Sequence, residues 1–360
     1  MTKRMFAGVP TPSGFVDFFD DIMPACRATQ RFFLKGASGS GKSTFMKKVA
    51  GAFEHDCHRE FFHCANDAQS LDALAIPALG LCIMDATAPH SRDPQIPAAT
   101  DHIIDFARFL DKSKVAPHKE TIENLTREKK ILYGRAMGYL AAAQQIRAAE
   151  AAAAENALNQ KPLMELANTW LEKLEKNGGS GNANANRKLF LSAITPEGPI
   201  SFADDFFADC HVCGLLSETD AAASRFLAHM AHGGGARGMC IQSFHCPINP
   251  EKIEHLHFLH TNTAFVTTNG IVKYQGKVDE AVALNHFVNS AAPSGTECNI
   301  FGMLLEKIVA LLHDAKSVHA HIEAIYAAAM DFDEVEKMTG EFIRAVINPL
   351  RTKSHMRDTP

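Results

Sequence analysis

Residues 36–43 read Gly36-Ala37-Ser38-Gly39-Ser40-Gly41-Lys42-Ser43. A glycine, four residues and then Gly-Lys-Ser is the spacing of a loop that wraps phosphate. Each residue type has a job there. The glycines let consecutive backbone N–H groups turn toward one anion. The Lys42 ammonium is a compact cation with the reach for β- and γ-phosphates, and the Ser43 hydroxyl is a hard oxygen donor for Mg²⁺. A helix that starts at the loop aims its positive end at the same charge. The flanks suit this reading. Arg31-Phe-Phe-Leu-Lys35 is a short apolar strand, and Thr44 to Phe53 carries Phe45, Val49 and Phe53 at helical spacing. Gly36 to Ser43, with Thr44 after them, are therefore expected to line the phosphates.

A second metal-positioning acid is expected at the end of another strand, because ligands of open α/β sheets bind at the carboxyl ends of strands. Leu79 to Asp85 is an apolar run that ends in Asp85, which is expected to hold Mg²⁺ together with Ser43, directly or through water. A strand over Arg59 to Cys64 lies between, followed by Asp67, Ser70 and Asp72. Acids here can orient water or take a proton from an acceptor hydroxyl. The same residues also suit an Asx turn and a helix cap at Asp67 or Ser70. Past Asp85, Thr87 and His90 sit in a loop expected near the γ-phosphate. No Glu follows Asp85, so the water-polarising acid of many fast motor ATPases is missing. No Asn-Lys-x-Asp occurs, so a guanine pocket of the usual GTPase kind has no support. Lys35 precedes Gly36 and takes no second-lysine role.

The chain repeats itself once. Thr11, Pro12, Gly14, Phe18, Asp20, Asp21 and Cys26 recur 184 positions later as Thr195, Pro196, Gly198, Phe202, Asp204, Asp205 and Cys210. Phe62-His63-Cys64 recurs as Phe244-His245-Cys246, and Ser43, Phe45 and Ala50 align with Ser224, Phe226 and Ala231. The drift between these offsets needs only short insertions and deletions. The period is far above the ~20–50 residues of solenoid repeats, so a whole domain is duplicated. Residues 177–186, rich in Gly, Asn, Ser and Ala, have the composition of a flexible linker. The expected organisation is a first domain over 1–176, a linker over 177–186 and a second domain over 187–360. In the second copy Lys42 falls on Ala223, Gly41 on Ala222 and Asp85 on Thr267, while Glu218 and Asp220 would repel phosphate. This copy is expected to keep the fold and bind no nucleotide.

The rest of each half is helical. His118 to Gln160 is rich in Ala, Glu, Lys and Gln and is expected to end at Pro162, after which Leu163 to Leu174 restarts a helix. Ile300 to Leu312 and Val318 to Ile347 are comparable. Each copy is thus expected to carry a helical hairpin, used for packing or as an arm for a protein partner.

A 360-residue chain accommodates two domains, and 46% hydrophobic with 21% charged residues describes a soluble globular protein. A net charge of −5 argues against a dominant nucleic-acid surface. No apolar run reaches the ~20 residues of a membrane span. The first residues turn polar too soon for a secretory signal, and nine scattered cysteines suit a reducing cytoplasm. Cys210-His-Val-Cys213 has metal-like spacing but lacks a second well-spaced pair.

At this point the chain resembles bacterial tandem P-loop ATPases of unestablished reaction. The residues that carry the resemblance are Thr11-Pro12-x-Gly14-Phe15, Phe33-Leu34-Lys35-Gly36 running into Gly41-Lys42-Ser43, His63-Cys64, Ser70-Leu71-Asp72 and Asp85-x-Thr87-Ala88-Pro89-His90. The resemblance implies ATP binding and a doubly wound, mostly parallel α/β core in each copy. It supplies no substrate. Both copies of such proteins can carry an intact loop, whereas only the first does here. The reading from sequence is a cytoplasmic, Mg²⁺-dependent ATPase with one working site. Its rivals are a phosphotransferase with Asp67 or Asp72 as base, and an ATP-gated protein-binding module. Arg225 and Arg237 are candidates for a cation supplied by the second half.

Overall fold

The computed structural model describes residues 2–23, 28–53, 57–177, 186–218, 220–268, 270–288 and 295–350. Cys26 and residues 178–185 of the expected linker lie outside them.

The first half runs through β1 (Thr2–Met5), a hairpin of β2 (Gly8–Thr11) and β3 (Gly14–Asp17), β4 (Gln30–Lys35), α1 (Lys42–Gly51), β5 (Arg59–Cys64), β6 (Asp67–Ile76), β7 (Leu81–Asp85), β8 (Asp101–Asp105), a short α2 (Lys112–Val115), and the long α3 (Lys119–Asn156) and α4 (Gln160–Asn177). The second half follows the same plan. It has β9 (Arg187–Leu189), a hairpin of β10 (Ser192–Thr195) and β11 (Gly198–Ser201), a short α5 (Ala203–Phe206), β12 (His211–Leu216), α6 (Asp220–Ala236), β13 (Ile241–His245), β14 (Ile253–Phe258), β15 (Thr263–Thr267), β16 (Glu280–Ala283), α7 (Gly295–Ala328) and α8 (Phe332–Phe342).

The two six-stranded sheets have one topology. The first is ordered β1-β5-β6-β7-β4-β8 and the second β9-β13-β14-β15-β12-β16. In each, the fifth strand in this order, β4 or β12, is parallel to both neighbours, and the third, β6 or β14, is antiparallel to both of its own. Small details repeat as well. Thr11 Oγ1 donates to the Gly14 carbonyl at 2.7 Å and Thr195 Oγ1 to that of Gly198 at 2.8 Å. His63 Nδ1 donates to the Ala68 carbonyl at 2.7 Å and His245 Nδ1 to that of Pro250 at 2.6 Å.

The chain has the expected duplicated α/β organisation with largely parallel sheets, but each sheet is mixed, because one strand, β6 or β14, runs antiparallel to its neighbours. Only Ala65 and Asn66 separate β5 from β6. Two residues make a hairpin, whereas a parallel crossover needs a dozen or more. The same hairpin overturns the helix cap expected at Asp67 or Ser70, since both lie in β6. Pro162 does not end a helix either. It is the third residue of α4, in a first turn where no intrahelical N–H bond is lost. In the second half, the two helices expected after Ile300 are one continuous α7, and α8 is separate.

Both faces of the first sheet are covered. Phe32, Leu34, Leu74, Leu81 and Ile83 pack against Phe45, Met46, Val49 and Phe53 of α1, while the alternate residues Phe33, Ala73, Ala75, Cys82 and Met84 are buried as well. Burial on two sides explains why these strands read as continuous apolar runs.

The chain divides into two compact units that do not follow its halves. One comprises Met1–Ala7, Phe19–Gly134 and Leu311–Pro360, and the other Gly8–Phe18 and Arg135–Ala310. The closing helices are exchanged. Leu163, Trp170, Leu171 and Leu174 of α4 belong to the core of the second sheet, with Phe226, Met230, Leu256 and Phe265. Val335 of α8 and Ile347 beyond it are buried in the core of the first sheet, with Met338 and Phe342 packed against it. Two equivalent hydrogen bonds fix the exchange. Asn159, before α4, donates its N–H to the Phe287 carbonyl at 2.7 Å, and Asp331, before α8, donates to that of Phe109 at 2.9 Å. The expected boundaries at 176 and 187 trace the repeat, and the packing trades its last helices. Among the described residues no helix is long and apolar enough to cross a membrane.

Candidate functional site

The glycine loop is the turn from β4 into α1. Gly41 is the N-cap of α1 with φ of 93°, and no side chain caps this end. The first N–H groups of the helix are left for another partner, and the helix dipole favours an anion there. Gly39 has φ of 74°, and a Cβ on it would stand 2.8 Å from the Glu323 carbonyl oxygen. Only glycine fits. The loop closes around Lys42, whose Nζ donates to the carbonyls of Gly36 at 2.7 Å and Ala37 at 2.8 Å. The same ammonium lies 3.6 Å from Asp85 Oδ2. Burial pushes the Lys42 pKa below its ordinary value, and Asp85 works against that shift. Ser40 Oγ is buried with no hydrogen-bond partner among the described residues. Ser43 Oγ accepts the Leu71 N–H at 3.0 Å, which ties the loop to β6. Ser38 is half-buried, and Thr44 is exposed in the first turn of α1.

Asp85 ends β7 beside this loop because β7 is the parallel neighbour of β4, with Leu34 paired to Asp85. Its Oδ1 accepts the Thr87 N–H at 2.9 Å and also the Thr87 hydroxyl. Thr87 therefore orients the carboxylate. Lys35 Nζ donates to the carbonyls of Ala86 at 2.9 Å and Arg92 at 2.8 Å, so it anchors the loop after β7. His90, expected on that loop, is buried, with Nε2 3.5 Å from Asp72 Oδ2. Asp72, read from sequence only as the partner candidate to Asp67, is the acid that the fold buries. Burial raises its pKa to about 6, with His90 opposing and Asp85 reinforcing the shift. That value suits proton transfer near neutral pH. Asp67 differs. It accepts the Ser70 hydroxyl at 2.7 Å and the Lys316 ammonium at 3.1 Å. Burial would raise its pKa, but these bonds hold it below the ordinary value.

The exchanged helix brings residues that the loop motif does not announce. Lys316, His319 and Glu323 lie on one face of α7, at the i, i+3 and i+7 spacing. His319 Nδ1 is 3.2 Å from Lys129 Nζ on α3. The Tyr133 hydroxyl, also on α3, donates to Asn66 Oδ1. Glu323 has its pKa raised by burial and by Asp67, with Lys42, Lys129 and Lys316 opposing. Nothing in the sequence separates Lys316, His319 and Glu323 from the other polar residues of α7, such as Glu306, Lys307, His313 and Asp314.

In the other unit the equivalent place is a cavity. Its lining includes Ala223 where Lys42 stands, Thr267 where Asp85 stands and Glu254 where Asp72 stands, together with Gln144 and Arg147 of α3. Asp220 binds Lys252 at 2.7 Å and Arg147 at 3.1 Å. Glu254 is buried, its carboxylate accepts the Ser192 hydroxyl, and burial lifts its pKa to about 7. Arg225 and Arg237 belong to this unit as well, beside Glu155 at 3.1 Å and Glu175 at 3.7 Å. Cys213 groups with His211 and Glu280, all three offering ligand atoms within 4.8 Å, but Lys173 already holds Glu280 at 3.2 Å. Cys210 is not in that group, and its Sγ is 3.6 Å from His257 Nε2.

The first site thus joins an uncapped helix start, a buried ammonium and an acid at a strand end, an arrangement able to bind a polyanion and a hard cation side by side. Comparison with protein-family models, with curated proteins and with solved structures returned no match.

Proposed function

We propose that the protein binds ATP at the loop of residues 36–44 and hydrolyses it with Mg²⁺, using one site. The observation that carries this reading is Lys42 Nζ enclosed by the loop carbonyls and 3.6 Å from Asp85. A phosphate chain with its counter-ion would use the buried ammonium, the uncapped helix start and the strand-end carboxylate together. Ser43 Oγ and the Asp85 carboxylate are hard oxygen donors of the kind Mg²⁺ takes, and the ion held there would offset charge on the phosphate oxygens. Lys42 would leave the loop carbonyls for β- and γ-phosphate oxygens, which bind an ammonium more strongly than neutral carbonyls do. Thr87 holds the Asp85 carboxylate in place. In hydrolysis the water oxygen bonds to the γ-phosphorus as the bond to the bridging oxygen breaks. ADP leaves with that electron pair, and Asp72, steered by His90, takes the water proton and returns it to solvent.

The test is phosphate release from Mg-ATP by the purified chain beside Lys42→Ala. The expected result is turnover that the substitution abolishes, together with loss of the thermal stabilisation that ATP gives the wild type. Wild-type protein neither stabilised by ATP nor releasing phosphate defeats the reading.

One observation favours a second reading. Asp72 is a buried base beside the site, and such a base serves an acceptor hydroxyl as well as water. Phosphoryl transfer to a small hydroxyl compound would then replace hydrolysis, and a screen of acceptors with labelled ATP detects it.

A further inference from the structure

Why the second half survives without a loop of its own is answered by what its helix does in the first unit. The exchange aligns α3 with α7. The hydrogen bonds of Asn159 and Asp331 set the offset at 172 residues. On that offset Gln144 corresponds to Lys316, Arg147 to His319 and Ala151 to Glu323. Gln144, Arg147 and Ala151 line the cavity of the second unit. Their counterparts stand at the loop of the first. The Glu323 carbonyl meets the position of a Cβ on Gly39, in the middle of the glycine loop. Lys316, two turns earlier on the same face, reaches Asp67 at the start of β6. His319 lies between them and feels the charge of Lys42 as well as Lys129. The same face of an exchanged helix therefore covers the equivalent site in both units.

The residues on that face differ in a way that follows the chemistry. In the second unit Arg147 and Lys252 are spent on Asp220, which occupies the place of a loop glycine. In the first unit the loop has no acid, and Lys316 is half-buried with Asp67 as its neighbour. Asp67 is itself held by the Ser70 hydroxyl. Three ammonium groups, of Lys42, Lys129 and Lys316, act on the single carboxylate of Glu323. This is more positive charge than the loop motif alone supplies, and it is gathered where a terminal phosphoryl group would emerge from the loop.

We propose that Lys316, carried into the first unit by α7 of the second half, is a catalytic cation for the terminal phosphoryl group of the bound triphosphate. Asp67 keeps the ammonium oriented before the nucleotide arrives. As the bond to the bridging oxygen breaks and charge redistributes over the phosphoryl oxygens, Lys316 donates hydrogen bonds to them. The degenerate half is retained because its helix completes the site. This inference rests on the nucleotide reading above.

The test uses the full chain with Lys316→Met, which keeps the apolar stem, Lys316→Arg, and the double variant Asp67→Asn/Lys316→Met. Turnover of Mg-ATP is measured together with affinity for ADP and for ADP plus aluminium fluoride, a planar mimic of the phosphoryl group in flight. Lys316→Met is expected to lose about 100-fold in turnover, the scale of removing one charge-stabilising donor. It should bind ADP like the wild type, bind the fluoride complex more weakly, and melt as a folded protein. Lys316→Arg should recover part of the loss, and the double variant should recover none. Wild-type turnover in Lys316→Met overturns the inference and leaves the nucleotide reading intact. Restored turnover in the double variant also overturns it, because Lys316 would then serve only to neutralise Asp67. A wild type that gains no stability from Mg-ATP removes both.

Discussion

The two units carry one topology and opposite chemistry. In the first, the turn from β4 into α1 is glycine-rich, encloses Lys42 and faces Asp85. In the second, the same turn leads to Ala223, Asp220 has drawn in Arg147 and Lys252, and Thr267 spends its hydroxyl on the Glu254 carbonyl at 3.0 Å. Strand order and the histidine hydrogen bond are common to both units, while the two threonine-tied hairpins repeat between the halves of the chain and both belong to the second unit. The sheet and its hydrogen-bonded details are present twice, and the glycine-rich turn with Lys42 and Asp85 is present once. The turn can differ in this way without change to the sheet, because it lies at the strand ends while the core lies between strands and helices.

The largest effect should come from separating the halves. Residues 1–177 alone retain β4 and α1 but lack Val335, Met338, Phe342 and Ile347, which pack on them. Val335 and Ile347 are buried and Met338 and Phe342 partly so, and a fully buried side chain of this size is worth roughly 1.5–3 kcal/mol. Losing the two buried and two partly buried side chains together removes a large fraction of the ~5–15 kcal/mol that holds a domain together. Residues 186–360 alone lack Leu163, Trp170, Leu171 and Leu174 in the same way. Neither fragment should melt cooperatively, and the two co-expressed should form a folded complex. A cooperatively folded 1–177 fragment would break the exchange.

Next comes the acid at the end of the β4 or β12 neighbour. Asp85→Asn should lower turnover by about 100–1,000-fold, the scale of losing one preorganised charged group. Thr267→Val, at the equivalent place, should leave turnover within about twofold, the ordinary scatter of a substitution away from the chemistry. Equal losses in phosphate-release assays would mean that both units take part in the reaction.

The order of strand, glycine-rich turn and helix, and a strand ending at Asp85, were legible because glycines mark the turn and apolar spacing marks the elements on either side. The pairing of repeats was legible from spaced identities. Strand β6 was not. Asp67-Ala-Gln-Ser-Leu-Asp-Ala-Leu-Ala-Ile76 is made largely of residues with weak strand preference, and it is a strand because β5 and β7 pair with both of its edges. The helix exchange was invisible for a different reason. An apolar stripe on α4 or α8 announces that a face is buried and does not say under which sheet. For that reason Arg225 and Arg237 were the natural cations to expect from the second half, and Lys316 was not. His90 was expected in a loop near the γ-phosphate, and its burial against Asp72 was not legible because that acid lies 18 positions away on another strand.

The smallest and most discriminating effect is in the pH dependence of stability. Glu254 titrates at about 7 in the folded protein against an ordinary value of 4.5. The folded state therefore holds a proton that the unfolded chain has released between these limits, so stability falls as pH rises through that window. Asp72 contributes the same sign up to about 6. The buried His63 and His245 act oppositely. Their folded values near 4 make stability rise with pH until about 6.5. The difference between wild type and Glu254→Gln cancels these common terms. Gln keeps an acceptor for the Ser192 hydroxyl and cannot ionise. Glu254→Gln should match the wild type near pH 5 and exceed it at pH 8 by on the order of 3 kcal/mol, the linkage value of the shift, read from thermal melts. A variant less stable than wild type at pH 8 would mean that Lys252 and Arg147 already stabilise an ionised Glu254. The second cavity would then be a charge-balanced structural core. A gain at high pH instead marks Glu254 as a strained acid, equivalent to Asp72, that the second unit has kept after losing the loop it once faced.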